Sequence, residues 1–251
     1  MKRKVIVFIG VIVIPIFLLL IDHLYLKDEL DINASYDDSQ AWQYIFQHQD
    51  EYPMSLIKLA LSNKETISFV YQYPQKHLQN VDMTLQEELQ ENGVPLLLQW
   101  DERWGYKTYG NDLMAVNGCG PTCLSMVSSY LKQNSQYHPY FIAQYAYRRG
   151  YHSEQGTSWD LMTEGAQDLG LNVQELSLDE NQMIQQLQMD HPIICSMRAG
   201  VFTTTGHYIV VRDYQDGLFY VNDPNSRLKS QQGYTFTEIK NQIKNIWAYS
   251  L

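Results

Sequence analysis

The chain has 251 residues, of which 45% are hydrophobic and 13% aromatic, so a disordered protein is excluded as the overall class. Its 18 Lys and Arg against 28 Asp and Glu give a formal net charge of −10, which disfavours a nucleic-acid binder because such proteins need a basic surface. The three cysteines, Cys119, Cys123 and Cys195, are too few for a disulfide scaffold or a four-thiolate zinc site, and the sequence predicts no metal and no cofactor.

The N-terminus carries an apolar run without charged residues, from 5 to 21, which follows Lys2, Arg3 and Lys4. A run of this length is near the lower limit for a membrane-spanning helix and longer than the core of most signal peptides. We therefore predict a membrane anchor over residues 1–25, in preference to a cleaved signal peptide or a buried core helix. The basic residues predict a cytoplasmic N-terminus. The rest of the chain would then be extracellular on a single-pass protein, or secreted if the segment is cleaved.

Residues 26–93 are predicted to form a short acidic stalk and a small helical appendage. Leu56, Leu59 and Ala60 are apolar at helical spacing, and similar stripes indicate three or so short helices in this region. Residues 80–93 form a looser connector in this interpretation.

Residues 94–251 are predicted to form one domain in which helices come first and antiparallel strands follow, which indicates an α+β fold. Apolar residues at helical spacing predict helices at 121–131, 139–149, 157–169 and 179–189. In the third of these, Thr157 and Asp160 form an N-terminal capping pair. Apolar runs and the hairpin signal Asp216-Gly217 predict strands at 192–197, 207–213, 218–222 and 246–251. Thr237 is predicted to cap a last helix.

The strongest indication of chemistry is the segment 117–123, which reads Asn-Gly-Cys-Gly-Pro-Thr-Cys. Glycine on both sides of Cys119 permits a tight turn, and Pro121 suits the first position of a helix. Cys119 is therefore predicted to lie at a helix N-terminus, where the helix dipole favours the nucleophilic thiolate. The alternative is a small, inert core residue. That alternative is favoured for Cys123 and Cys195, which lie in apolar runs.

A nucleophilic cysteine needs a base, and His207 is the best candidate among the seven histidines. It follows Gly206 and opens a strand that is predicted to be half-buried, so the sheet would hold its ring. The alternative is a histidine with a purely structural role in the sheet.

Three residues near the hairpin could orient the imidazole: Asp213, Asn222 and Asp223. The register of the hairpin decides between the last two. A two-residue loop pairs Val211 with Asn222, whereas a three-residue loop pairs Ile209 with Asp223 and places Asp223 on the face of His207. A slip of one residue exchanges the two faces, so the residues alone leave the choice open.

An oxyanion stabiliser is also needed, and the side-chain amide of Gln99 is a candidate beside the backbone N–H of Cys119. From its chemistry alone Gln99 is more simply explained as a surface residue. Trp100, Trp104 and Trp159 are candidates for the lining of a cleft, with the hydrophobic core as the alternative.

Five segments together resemble one known family: 94–99 (Val-Pro-Leu-Leu-Leu-Gln), 117–122 (Asn-Gly-Cys-Gly-Pro-Thr), 156–159 (Gly-Thr-Ser-Trp), 206–211 (Gly-His-Tyr-Ile-Val-Val) and 221–224 (Val-Asn-Asp-Pro). The family is that of the bacteriocin-processing, double-glycine leader peptidases and their stand-alone relatives, which are cysteine peptidases of family thirty-nine. The resemblance covers about residues 94–251. The segments around Cys119 and His207 are specific evidence for this family when both are present, and either segment alone would be weak evidence.

The resemblance implies a papain-like fold, with the cysteine at a helix N-terminus and the histidine and aspartate on an antiparallel sheet. It implies Cys119 as nucleophile, His207 as base, Asp223 as its orienting group and Gln99 as the oxyanion donor, with a peptide or protein as substrate. The sequence contains no G-x-x-x-x-G-K-[ST] loop, so neither a nucleotide partner nor coupling to transport is implied.

Two other functions stay open from the sequence. One is a hydrolase of cell-wall peptide or amide bonds that uses the same cysteine and histidine, although the segment around Cys119 does not resemble the Asp-Cys-Ser type. The other is a catalytically silent binding module, which intact Cys119, His207 and Asp223 disfavour.

Overall fold

The computed structural model describes residues 36–153 and 156–251. The predicted anchor at residues 1–25 lies outside these ranges. Within them, no helix is long and apolar enough to cross a membrane. Helix α1, Tyr36–Gln47, belongs to a first compact unit that ends at Gln49, and the second compact unit is Asp50–Leu251. The fold and the site described below belong to the second unit.

The helices after α1 are mostly short. Their bounds are α2 Met54–Ser62, α3 Ile67–Tyr71, α4 Tyr73–Lys76, α5 Met114–Asn117, α6 Cys119–Lys132, α7 Pro139–Arg149, α8 Glu164–Asp168, α9 Glu180–Gln188, α10 Arg227–Ser230 and α11 Phe236–Ile239. Single 3₁₀ turns lie at Gln49–Glu51, Lys64–Thr66, Glu88–Gln90, Trp159–Leu161 and Lys240–Gln242.

The appendage helices pack against the rest of the second unit. Helix α2 begins after Pro53 and buries the predicted apolar stripe Leu56, Leu59 and Ala60. The ring of Phe69 in α3 stacks on Tyr106 with centroids 4.2 Å apart, and the Tyr106 hydroxyl donates to the Phe69 carbonyl at 2.8 Å. These contacts join residues 54–71 to the domain that contains the predicted site.

Ten strands form three antiparallel sheets in the described residues. Two sheets are two-stranded, β1 Thr108–Tyr109 with β2 Asp112–Leu113, and β3 His152–Ser153 with β4 Gly156–Thr157. The third has the order β5-β10-β6-β7-β8-β9. Its strands are β5 Asn172–Glu175, β6 Ile193–Met197, β7 His207–Gln215, β8 Leu218–Asn222, β9 Gly233–Tyr234 and β10 Ile243–Ser250.

The large sheet is buried on both faces, because successive side chains of a strand point to opposite sides. In β7, Tyr208 and Val210 join the core formed with α6 and α7, and Ile209 and Val211 join the core formed with α9 and α11. The start of β7 is therefore fully buried and not half-buried as predicted.

Two predicted elements are wrong in detail. The helix predicted at 157–169 is divided into strand β4, a 3₁₀ turn and α8, and Ser158 caps the turn by accepting from Asp160 N at 3.2 Å. The last helix is capped by Thr235, not Thr237, in a capping box with Glu238. Of the apolar residues whose spacing predicted one long helix, Met162 and Ala166 are buried, whereas Trp159 is exposed.

The hairpin between β7 and β8 combines a two-residue turn with a bulge. Gln215 pairs with Leu218, and both turn residues, Asp216 and Gly217, have positive φ angles as a type I′ turn requires. The register then shifts by one residue between Val211 and Asp213. Because of this shift Val210, not Val211, pairs with Asn222.

Candidate active site

Cys119 is the first residue of α6, as predicted. Gly118 before it has a φ of −84°, so this glycine is not needed for a left-handed conformation. A Cβ at Gly118 would lie 2.4 Å from the Met114 carbonyl oxygen, which leaves room only for glycine. Pro121 is the third residue of the helix and not the first, in a turn where backbone N–H groups have no intrahelical acceptor.

Thr157 packs against the start of α6. A Cβ at Gly120 would lie 2.8 Å from the Thr157 Cβ, so the absence of a side chain at Gly120 allows Thr157 to approach the helix. The Thr157 hydroxyl is 3.0 Å from the Tyr109 hydroxyl, and the Tyr208 hydroxyl donates to the Thr157 carbonyl at 2.9 Å. These contacts hold Thr157 against the start of α6, where Cys119 lies.

His207 is hydrogen-bonded to Asp223. Its Nε2–H donates to Asp223 Oδ1 at 2.7 Å, and both side chains are buried. Burial lowers the pKa of His207, but the charge and hydrogen bond of Asp223 and a hydrogen bond with Cys119 outweigh it and raise the pKa to about 10. The imidazole therefore holds its proton at neutral pH, with the Asp223 carboxylate as its acceptor.

The other two candidates for orienting His207 have different contacts. Asn222 donates from Nδ2 to the carbonyls of Val94 and Pro95 at 3.0 and 3.1 Å. The Asp213 carboxylate accepts from Tyr214 N and from the Gln215 amide. The structure thus brings Asp223 to His207 and leaves Asn222 to hold the segment that leads to Gln99.

Gln99 is buried and not at the surface. Its Nε2 donates to the Ala115 carbonyl at 2.7 Å, with a longer contact of 3.4 Å to the Val116 carbonyl. Both carbonyls belong to α5, which leads directly into Cys119. The backbone N–H of Gln99 donates to the Pro224 carbonyl at 2.8 Å, so the same residue also contacts the chain after Asp223.

Cys123 and Cys195 are buried free thiols, as predicted. They lie in different core clusters, on the two sides of the large sheet. Burial raises the pKa of Cys123, and it raises that of Cys195 to about 12. Both stay protonated at neutral pH, which makes them poor nucleophiles. In the described residues, no three His, Cys, Asp or Glu side chains are grouped so that they could hold a metal ion.

A cavity of about 840 Å³ contains Cys119, His207 and Gln99 in its lining. The appendage contributes Met54 and Lys58 to the lining, and the loop 200–206 contributes its whole length. None of the three tryptophans considered from the sequence is in this lining: Trp104 is core, Trp100 is buried beside Arg227, and Trp159 is exposed and donates to Ser196 Oγ.

Sequence reasoning did not identify Asn63, Glu65 and Asn225, which all contact the chain around Asp223. Asn63 and Glu65 lie far from the site in sequence and in no recognisable motif. Asn225, in the segment Asp-Pro-Asn-Ser, carries a turn signal that could have been found.

The α+β architecture, with a cysteine at the start of a helix and a paired histidine and aspartate on an antiparallel sheet, defines a papain-like cysteine-peptidase fold. The profile of the Peptidase_C39 like family matches residues 91–250, well over half of the chain. The chain belongs to this family, which confirms the resemblance found from the sequence.

Two solved structures are similar to the chain. One is the peptidase domain of Streptococcus ComA, a bifunctional ABC transporter involved in a quorum-sensing pathway, with 20% identity, a TM-score of 0.41, and coverage of 54% of this chain and 93% of that one. The other is a C39-like peptidase of Bacillus anthracis, with 14% identity, a TM-score of 0.39, and coverage of 68% and 98%. No curated protein matches the chain.

Proposed function

We propose that the chain is a catalytically active cysteine peptidase that uses Cys119 as nucleophile and His207 as general acid and base. The observation that carries this proposal is that the His207 ring, hydrogen-bonded to Asp223 at 2.7 Å, lines the same cavity as Cys119 at the start of α6. A histidine with a purely structural role need not face a cavity that also contains a cysteine at a helix N-terminus. Membership of a cysteine-peptidase family supports the same reading.

In the first half-reaction the Cys119 thiolate attacks the carbonyl carbon of a peptide bond. The His207 imidazolium then gives its proton to the amine that leaves as the C–N bond breaks, and an acyl-enzyme forms on Cys119. In the second half-reaction neutral His207 takes a proton from water, which attacks the thioester and releases the acid. Asp223 keeps the ring oriented in both steps.

Gln99 is the proposed donor to the oxyanion, together with the backbone N–H of Cys119. One hydrogen of Nε2 is held by the Ala115 carbonyl at 2.7 Å. The contact with the Val116 carbonyl at 3.4 Å is longer than a normal hydrogen bond, so the second hydrogen is available to a stronger acceptor. A developing oxyanion in the adjacent cavity is such an acceptor.

The cavity suits an extended peptide with apolar side chains. Three large apolar residues in its lining, Met54, Val201 and Leu228, are 50–66% exposed. Exposed apolar side chains grouped at a cleft are typical of a binding surface. We therefore expect bulky apolar residues in the substrate near the cleaved bond.

We also propose that this domain faces the outside of the cell membrane. The support is the apolar run at 5–21 behind three basic residues. Protease added to intact cells should then remove the domain, whereas protection of the domain would contradict this location.

The experiment that tests the function is cleavage of a diverse peptide library by the full-length protein, with new termini identified by mass spectrometry. Purified peptidoglycan is digested in parallel. New peptide termini near apolar residues support the proposal. Release of wall fragments without peptide cleavage would assign the same chemistry to a cell-wall hydrolase, and no product from either substrate would indicate a binding module.

A further inference from the structure

The Glu65 carboxylate, in the appendage, holds the chain that follows Asp223. It accepts hydrogen bonds from the Ser226 hydroxyl and from the backbone N–H of Arg227 at 2.8 Å, with a longer contact of 3.4 Å to the backbone N–H of Leu228. These three residues lie at the start of α10. One carboxylate thus holds Ser226 and Arg227 with bonds strengthened by its charge.

Asn63 holds the preceding residue of the same loop. Its Nδ2 donates to the Asn225 carbonyl at 2.5 Å and to the Asn225 side-chain oxygen at 3.3 Å. Its Oδ1 accepts from the backbone N–H of Glu65 at 3.1 Å, which links the two appendage residues. Trp100 donates to the same Asn225 carbonyl at 3.1 Å.

The loop transmits this restraint to the carboxylate that contacts His207. The backbone N–H of Asn225 donates to Asp223 Oδ1 at 2.8 Å, so this oxygen accepts from both Asn225 and His207. Ser230, at the end of α10, accepts from the backbone N–H of Asp223 at 2.9 Å and donates to the Ser226 carbonyl at 2.7 Å. A displacement of Asn225 or Ser226 would therefore move Asp223.

We propose that Asn63 and Glu65 are positioning residues of the active site, which act through Asn225 and Ser226 to hold Asp223 against His207. Both lie outside the family match at 91–250, in the helical appendage. The appendage is then a part of the catalytic machinery and not a spacer. This inference rests on the proposed function only in its consequence for turnover, because the position of Asp223 is measurable without a substrate.

The test uses full-length protein with labelled histidine and two readouts that need no turnover. The first is the NMR titration midpoint of the His207 ring, assigned with His207→Gln. The second is the rate at which iodoacetamide alkylates Cys119 near neutral pH. Glu65→Ala and Asn63→Ala should each lower the His207 midpoint and slow alkylation of Cys119 by about tenfold, because a misplaced Asp223 no longer stabilises the imidazolium.

Glu51→Gln is the matched control, since Glu51 is exposed and precedes the same appendage segment. It should leave both readouts unchanged. Glu65→Gln retains one acceptor oxygen. Its His207 midpoint and its rate of Cys119 alkylation should therefore lie between those of the wild type and those of Glu65→Ala. If Glu65→Ala does not fold, the two readouts of Asn63→Ala and Glu65→Gln are compared with those of the wild type instead.

A merely structural role would lower the melting temperature of the variants and leave the His207 midpoint and the alkylation rate within twofold of the wild type, and this result would overturn the proposal. If the midpoint shifts while the wild type cleaves no peptide, the positioning role stands and the peptidase function fails.

Discussion

Nε2 of His207 lies 2.7 Å from Oδ1 of Asp223, and the two side chains are buried together where strand β7 begins and strand β8 ends. A buried imidazole beside a buried carboxylate gains from holding a proton, since the neutral ring would leave the carboxylate charge uncompensated. The pair therefore couples the chemistry of the site to its stability and to pH.

The first prediction concerns pH. The pKa of His207 is raised to about 10 in the folded chain, from about 6.5 in the unfolded chain. Its stabilising contribution is then fully present below about pH 6.5 and is lost as the pH rises through about 10. Chemical denaturation across this range should show a loss of unfolding free energy in the wild type that is absent in His207→Gln, and peptidase activity should fall over the same alkaline limb. Parallel curves for the two proteins would contradict the raised pKa.

The second prediction separates Asp223 from Asn222. Asp223→Ala should lower kcat and leave measurable activity, because it removes only the group that orients the imidazole. Asn222→Ala should instead cost about 1–3 kcal/mol of stability, because it removes the donor to the part-buried Val94 carbonyl and to the buried Pro95 carbonyl. Steady-state kinetics and chemical denaturation of both variants measure the loss of kcat and the loss of unfolding free energy. A larger loss of kcat in Asn222→Ala would mean that the orienting group is wrongly assigned.

The register of this hairpin illustrates what the sequence could and could not predict. The Asp216-Gly217 turn was identifiable, and it forms the two-residue loop that by itself would have paired Val211 with Asn222. The bulge at Arg212 shifts the pairing by one residue, so the site has the register expected for the longer loop. No residue type marks this bulge, and the resemblance to the peptidase family favoured Asp223 where the local signals did not.

The third prediction concerns Gln99. Gln99→Ala removes the proposed oxyanion donor and should lower kcat by roughly 10²–10³ with little change in KM, because the interaction forms only in the transition state. The variant also loses the bond to the Ala115 carbonyl, so the alkylation rate of Cys119 is the control for its placement. An unchanged kcat with normal alkylation would exclude Gln99 from the chemistry.

The fourth prediction concerns thiol reactivity. At about pH 6.5 iodoacetamide should modify Cys119 much faster than Cys123 or Cys195, because burial keeps the other two protonated and inaccessible. Peptide mapping after partial alkylation measures the three rates. Unfolding in denaturant should make the rates converge, whereas equal rates in the native protein would contradict the assignment of the nucleophile.

The fifth prediction concerns Gly118. In Gly118→Ala the new Cβ would meet the Met114 carbonyl at 2.4 Å, so the backbone before Cys119 must shift. A displacement of a reacting group by about 1 Å costs on the order of 10²-fold in rate, and the variant should lose kcat to that degree. Activity close to the wild type, with a folded protein by circular dichroism, would show that the helix start tolerates the shift.

The glycines beside Cys119 were predicted correctly as special, but for the wrong reason. The sequence indicated a tight turn, whereas the structure shows close approaches to Met114 and Thr157. The helix divided at Ser158 and the hydrogen bonds of Asn63 and Glu65 were not predictable either, because they depend on tertiary contacts between distant segments. Local patterns were sufficient where a single element decides the outcome, as in α7 and β8, whose bounds were predicted correctly.

The most direct test of the account compares the full-length protein with Cys119→Ala on the same peptide library. Loss of the sulfur removes the proposed nucleophile, on which the acyl intermediate would form. We predict that every new peptide terminus produced by the wild type is absent from the Cys119→Ala digest, although the variant folds normally and keeps the His207–Asp223 pair. Cleavage by Cys119→Ala at the rate of the parent would contradict the cysteine-peptidase mechanism altogether.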